Sequence, residues 1–413
     1  VSEPVELLID HVGAQGDGVA PGHVFVPLTL GGELVMARRQ GDRAELESVI
    51  TASPERVQPP CPHFGACGGC ALQHWDHAPY LAWKAEQLRL SLSYEKIETD
   101  ILKPFAAPPS SRRRIALHAR KRGRETVIGY KARRSWDVVE IKVCPISDPR
   151  LVAALPKLRE FASVFFEHPK SAPTLHVTVT DTGLDVDVTG VEAKSGGLSP
   201  GARMRAAELA RDFDFARATL SNDVLYQSRR PMVSFGGVAV ALPPGGFLQA
   251  VAEAETAMAD FAVEALTGAT RVADLFCGSG AFTFRLAQIA SVLALDASEA
   301  AIAAIRPAIA TAPGLRAITA EARDLYRRPL LSMEMKKIDA VLFDPPRAGA
   351  LEQAGQIATA KGVSRVVGVS CNPGTFARDA RALIDGGFKL VRVLPVDQFL
   401  WSPHIELVGV FER

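Results

Sequence analysis

"RVADLFCGSGAF", residues 271–282, runs as an apolar strand into a glycine turn and then into the first residues of a helical pattern. Glycines at such a turn let the backbone approach a bound ligand. Downstream, "SVLALD" (291–296), "IDAVLFD" (338–344), "RVVGVS" (365–370), "FKLVRVLPV" (388–396) and "ELVGVFE" (406–412) have the near-continuous apolar character of strands covered on both faces. Helical patterns over 248–266, 281–290, 298–310 and 375–385 separate them. This alternation predicts a doubly wound, Rossmann-like α/β domain over residues 246–413.

In such sheets ligands bind outside the carboxyl ends of the strands. Asp274 stands just before the glycine turn, and Asp296 ends the next strand 18 residues after Gly278, where a carboxylate can accept ribose hydroxyls. Asp344 ends a strand in "DPPR" (344–347), and Cys371 follows another in "SCNPGT" (370–375). The fold should bring these strand ends to one rim. The third glycine of a dinucleotide fingerprint is absent, since Gly278 and Gly280 are followed by Thr283. That favours an S-adenosylmethionine (SAM) site over a nicotinamide site. A thiol where a buried strand stops is either a small packed hydrophobe or a nucleophile; carboxylates on the same rim favour the nucleophile. Cys277, beside the turn, is expected to pack. Glu406 starts the last strand, and His404, two residues earlier, should share its side of an extended segment.

The chain has 413 residues, 47% hydrophobic and 23% charged, enough for two or three domains. Residues 1–57 hold short strand-like runs broken by Gly13, Gly16, Gly18 and Gly22, the pattern of a small β-barrel. "SPERVQPP" (53–60) marks a boundary. Residues 58–245 then form a central α+β domain, in which "YLAWKAEQLRLSLS" (80–93) reads as a helix that can pack on the catalytic domain. A hairpin is expected over 172–190 and a helix over 201–215. No apolar run reaches membrane-spanning length and the start shows no signal-peptide pattern, so a cytoplasmic protein is expected, monomeric by default.

Net charge is only +1, but residues 112–134 carry ten Arg or Lys and one acid, Glu125. A local basic face of this kind fits RNA, with Arg112, Arg113 and Arg114 expected on phosphates. Cys61, Cys67 and Cys70 follow a C-x5-C-x2-C spacing, with Cys144 further on. Four thiolates suit structural zinc or an iron–sulfur cluster.

Together these motifs resemble the RNA (uracil-5-)-methyltransferases, which use SAM. "DLFCGSGAFT", "FDPPRAG", "SCNPGTFARD" and "PHIELV" match the family's motifs in order, and "GGFLQA" matches the segment before the first. The start resembles its TRAM domain. "CPHFGACGGCALQH" with "VCPI" resembles the motif of its cluster-bearing branch, which leans to 23S ribosomal RNA, while related enzymes act on tRNA. The resemblance implies SAM contacts from Gln249, Phe276, Asp296, Asp324 and Asp344, Cys371 as nucleophile and Glu406 as proton acceptor. It favours a [4Fe–4S] cluster on Cys61, Cys67, Cys70 and Cys144. The target uridine would be single-stranded or flipped out. Three departures stand out: Ala281 where the family often has Asn, Asp296 where Glu is frequent, and Asp324 for a common Asn. A non-catalytic RNA-binding relative and a redox enzyme using the cluster and a nucleotide are the competing readings.

Overall fold

The structure, a computed structural model, describes residues 3–194 and 196–413. Its largest sheet orders the strands Ile318–Ala322, Ser291–Asp296, Arg271–Leu275, Ala340–Phe343, Arg365–Ser370, Glu406–Glu412, Lys389–Asp397 and Asp100–Ile101, with Phe105–Ala106 also pairing to Lys389–Asp397. The first five run parallel. Glu406–Glu412 runs antiparallel to both neighbours. The alternation of side chains along each strand fills two cores. Val272, Ala294, Leu342, Val367, Val369 and Val408 face one. Leu275, Leu295, Val341, Phe343, Val366 and Leu407 face the other.

The strands fall close to their sequence-based positions because apolar runs of five to seven residues between helices have few alternatives. Some differences have clear causes. Ile318–Ala322 was not expected: it is an edge strand, "ITAEA", too polar to stand out. The helix Leu351–Thr359 was also missed. The helix expected from 248 begins only at Ala252. Residues 248–251 are instead held as non-helical chain, with Arg113 N–H bonded to Ala250 O at 2.9 Å and Arg112 bridged to Val251. Gln249 therefore projects from this tether and not from a helix.

The helix His77–Tyr94 lies against the catalytic sheet, its Leu88 and Leu92 inside the second core. Lys84 on the same helix is almost fully buried and ion-pairs with Asp397. A seven-stranded central sheet includes the expected hairpin, Thr174–Thr180 with Gly183–Thr189, and the basic hairpin Arg114–Arg122 with Glu125–Lys131. Its inner face packs Leu117, Leu175 and Val188 in one core with Phe161 of the helix Leu155–Ser163 and with Phe165 and Phe215, which follow helices. A six-stranded sheet spans residues 4–51 around Ile9, Val24, Val26 and Val35. The hairpin Met232–Phe235 with Val238–Ala241 adds Val233, Phe235 and Val240 to the first catalytic core. Among the described residues no helix is long and apolar enough to cross a membrane.

Candidate active site

The five parallel strands end on one rim, and the antiparallel Glu406–Glu412 strand starts there. At one end of the rim the backbone turns through left-handed residues, Phe276 at φ 63°, Gly278 at 54° and Gly280 at 97°. A Cβ on Gly280 would come within 2.7 Å of the Phe284 ring, so the turn needs glycine there for space as well as for φ. Asp296 Oδ2 accepts the Gly278 N–H at 2.9 Å, while its Oδ1 accepts the Ser298 N–H at 2.7 Å. One carboxylate thus ties the glycine turn to the next helix. The Phe276 ring lies 5.5 Å from that of Tyr326. Asp324 accepts the N–H groups of Tyr326 at 3.0 Å and Arg327 at 3.2 Å. Phe276, Asp296 and Asp324 therefore occupy neighbouring strand ends. Asp274 lies beneath the turn: it is fully buried, takes the Thr283 hydroxyl at 2.5 Å, and burial pushes it up to about 7.

Toward the middle of the rim a chain of polar side chains runs between two carboxyls. Gln249 Nε2 donates to Asp344 Oδ2 at 3.3 Å. Gln398 Nε2 donates to Gln249 Oε1 at 2.7 Å and to Glu406 Oε1 at 3.1 Å. Gln398 Oε1 accepts the Ala250 N–H at 3.0 Å, which orients the amide. Burial, then the charge of Asp296, pushes Asp344 up to about 7. Burial, then the charge of Asp344, pushes Glu406 up to about 8, against the pull of Gln398 and Arg347. Sequence reasoning singled out neither Gln398 nor Arg347. A buried glutamine in "VDQFL" (396–400) was the available signal for the first.

Cys371 follows the strand Arg365–Ser370 directly. The proline after it opens a helix, Pro373–Asp385, at a first-turn position where no N–H is required. Asn372 caps that helix, its Oδ1 accepting the Gly374 N–H at 3.0 Å. Cys371 is half-buried, and burial, followed by the Glu406 charge, raises its thiol, while Arg347 acts in the opposite sense. Across the sheet Ser370 pairs with Leu407, which brings Cys371 and Glu406 to adjacent strand ends. His404 is a correction. It lies in the loop before the strand, exposed, with its ring 6.1 Å from that of Phe399, while Glu406 is buried. Cys277 is buried, as expected.

Cys61, Cys67, Cys70 and Cys144 line one cavity of about 340 Å³, whose lining also includes Arg347 and His404. Burial, reinforced by the other three thiols, pushes Cys70 up to about 12. Among the described residues no three His, Cys, Asp or Glu side chains converge as a single-ion site.

The basic run needs a second correction. Arg113 and Arg114 do not form an open phosphate face. Arg113 pairs with Glu255 at 2.7 Å and donates to Gln249 O at 3.0 Å; Arg114 donates to Leu248 O at 2.5 Å. Arg112 is half-buried and bonds Arg114 O at 3.0 Å. These arginines hold the 248–250 tether. The exposed charge lies at the hairpin end, on Lys121, Arg122 and Arg124, and on Arg134.

A doubly wound sheet with a glycine turn, an acid-ended second strand and a thiol on the rim defines an enzyme of the nucleoside-cofactor-binding α/β class. Residues 238–413 match the family model described as tRNA (uracil-5-)-methyltransferase. A Caulobacter vibrioides protein described as an "uncharacterized RNA methyltransferase" is 62% identical over 414 residues, covering 99% of this chain and 100% of its own. The 23S rRNA (uracil(1939)-C(5))-methyltransferase RlmD of Alkalilimnicola ehrlichii is 33% identical, covering 100% and 97%. The crystal structure of Pyrococcus abyssi tRNA (uracil-54, C5)-methyltransferase in complex with S-adenosyl-L-homocysteine has the same fold, with a TM-score of 0.75 over 98% and 99% of the chains at 23% identity. The chain belongs to the RNA (uracil-5-)-methyltransferase family.

Proposed function

We propose that the protein methylates carbon 5 of a uridine in 23S ribosomal RNA, with Cys371 as nucleophile and Glu406 as proton acceptor. The observation that carries this reading is the pairing of Ser370 with Leu407, which sets that thiol and that carboxyl side by side next to Asp344. Uracil carbon 5 is a poor nucleophile. Addition of the Cys371 thiolate to carbon 6 places electron density on carbon 5, which then attacks the methyl carbon of SAM in line, with S-adenosylhomocysteine leaving. Carbon 5 now carries both methyl and hydrogen. Glu406 takes the proton, the ring double bond re-forms and the thiolate leaves. A carboxylate raised to about 8 is a stronger base than an ordinary glutamate. The SAM contacts we assign are Gln249, Phe276, Asp296, Asp324 and Asp344. The ribosomal assignment rests on the full-length likeness to the RlmD protein.

The four thiols line one cavity together. Four thiolates suit zinc or an iron–sulfur cluster; from the motif resemblance we assign a [4Fe–4S] cluster, which would tie the segment after the N-terminal, TRAM-like sheet to the end of the basic hairpin. Protein purified without oxygen should hold about four irons and four sulfides per chain, as a four-cysteine cubane requires; stoichiometric zinc without acid-labile sulfide would sink the assignment. The methylation is tested with RNA tritiated at uridine carbon 5. Tritium should enter water in step with methyl transfer, from a 23S fragment and not from tRNA. Methyl transfer without tritium release would place the methyl on another atom.

A further inference from the structure

Trp136 is 77% exposed, whereas Trp75 and Trp83 are 8% and 9% exposed. An exposed indole offers a large flat apolar face with a polar edge, a group well suited to contact with a partner. Its setting is built. The turn that presents it is closed by Ala132 N–H to Asp137 O at 2.8 Å, Ser135 N–H to Ala132 O at 3.2 Å and the Ser135 hydroxyl to Asp137 Oδ2 at 2.9 Å. The Lys131 ammonium sits 3.8 Å from the ring centroid. The same strand end is pinned to the cysteine loop, with Gly68 N–H bonded to Lys131 O at 2.9 Å and Cys67 bridged to Ala132.

Cations outnumber acids around this ring, Lys131, Arg43, Arg133 and Arg134 against Asp17 and Asp137. Arg133, Arg134 and Arg43 all reach the single carboxylate of Asp17, Arg134 at 2.7 Å and Arg43 at 3.4 Å. Three guanidiniums on one acid leave two positive charges uncompensated, and Arg43 and Arg134 keep nearly half of their side chains in solvent. An aromatic face beside surplus cations is the chemistry that recognises single-stranded nucleic acid: base on the ring, phosphate on the guanidinium.

We propose that Trp136, flanked by Lys131 and by the Arg43–Arg133–Arg134 cluster on Asp17, is a base-stacking platform for an unpaired nucleotide of the RNA substrate, outside the catalytic rim. The proposal rests on the chain acting on RNA, and does not depend on the roles of Cys371 and Glu406. A paired nucleotide would not offer its face, so the platform selects RNA that is open beside the target. The three segments that build it come from the N-terminal sheet, the basic hairpin and the cysteine loop.

The test uses the full chain and a 12-nucleotide oligoribonucleotide of mixed sequence, beside a control with the same backbone and no bases. The oligonucleotide should quench the fluorescence of Trp136, and the abasic control should not. Trp136→Ala should weaken binding by about 5- to 150-fold, the range for one stacked base. Trp136→Phe should restore most of the affinity while losing the quench. SAM binding should be unchanged in both, which reports that the fold is intact. Arg134→Gln should lower the slope of log affinity against log salt by about 0.7, one single-strand phosphate contact. Equal binding of both oligomers, or unchanged affinity in Trp136→Ala, overturns the proposal. Absence of tritium release by the native protein from an RNA that it binds would instead count against the catalytic reading.

Discussion

Gln398 and Glu406 are joined by one hydrogen bond, Nε2 to Oε1 at 3.1 Å, and the same Gln398 amide nitrogen also donates to Gln249 at 2.7 Å. Gln249, proposed as a contact to the methyl donor, and Glu406, proposed as the proton acceptor, thus share a single donor group. Gln398 stabilises the charged form of Glu406 against burial.

Replacing Gln398 by Leu removes that donor without leaving space. Glu406 then loses its one lowering side-chain bond, and its proton is held more tightly. With Glu406 as the base, activity in the native protein should rise through a limb near pH 8, and in this variant the limb should lie at higher pH. The loosened Gln249 should also weaken SAM binding, by about 10-fold for a lost bond of ~1.4 kcal/mol. Rates against pH and SAM titration read the two effects separately; an unmoved limb would show that Gln398 does not govern the base.

Lys84 supports the loop that carries Gln398. Its ammonium meets the Asp397 carboxylate and the carbonyls of His404 at 2.6 Å and Phe399 at 3.3 Å, and Asp397 also takes the Tyr80 hydroxyl at 2.7 Å. Burial lowers the lysine to about 8 while Asp397 opposes that shift. Lys84→Met leaves a buried carboxylate unpaired and should cost about 3–5 kcal/mol in urea unfolding. Adding Asp397→Leu should cost less than the two single changes summed, because the second removes the charge the first stranded. Simple additivity would mean the pair is not coupled.

Four of the five parallel strands were legible as apolar runs, and three of them lead into residues of distinct chemistry: Asp296, Asp344, and Ser370 before Cys371. Local pattern is enough where both faces of a strand are buried. What the sequence did not reveal is made by distant contacts. Arg113 and Arg114 read as phosphate ligands because their charge is local, yet their partners, Glu255 and the carbonyls of 248–249, lie far along the chain. Gln398 offered only a lone glutamine among apolar neighbours, since its role exists only once residues 249 and 406 are beside it. His404 and Glu406 looked alike in spacing, but the strand begins only at Glu406, so alternation does not reach back to the histidine.

Glu406 also makes a stability prediction. Its value is 4.5 in an unfolded chain and about 8 in the fold. Between those values the folded state keeps a proton that the unfolded chain has released, so this group destabilises the fold progressively as pH rises. Glu406→Gln cannot lose that proton. The variant should match the native protein near pH 4.5 and exceed it increasingly up to pH 8, with the gap constant above. Urea midpoints of both proteins across this range give the comparison; a gap that narrows as pH rises would contradict the assigned direction.

The proposed chemical roles make the sharpest prediction, because they have Cys371 and Glu406 act on one intermediate in order. Glu406→Gln leaves the thiol free to add to carbon 6 and leaves carbon 5 free to take the methyl. The reaction then stalls: the hydrogen on carbon 5 has no acceptor, and the thiolate cannot be expelled until it leaves. Glu406→Gln should therefore accumulate a methylated, covalent protein–RNA complex that survives denaturing electrophoresis. Cys371→Ala removes the group that activates carbon 5 and should abolish both complex and turnover. The double variant should behave as Cys371→Ala alone, since effects on one sequential path do not add. If Glu406 only positioned the base, Glu406→Gln would turn over slowly and trap nothing. A Cys371→Ala enzyme that still methylates uridine would end the mechanism.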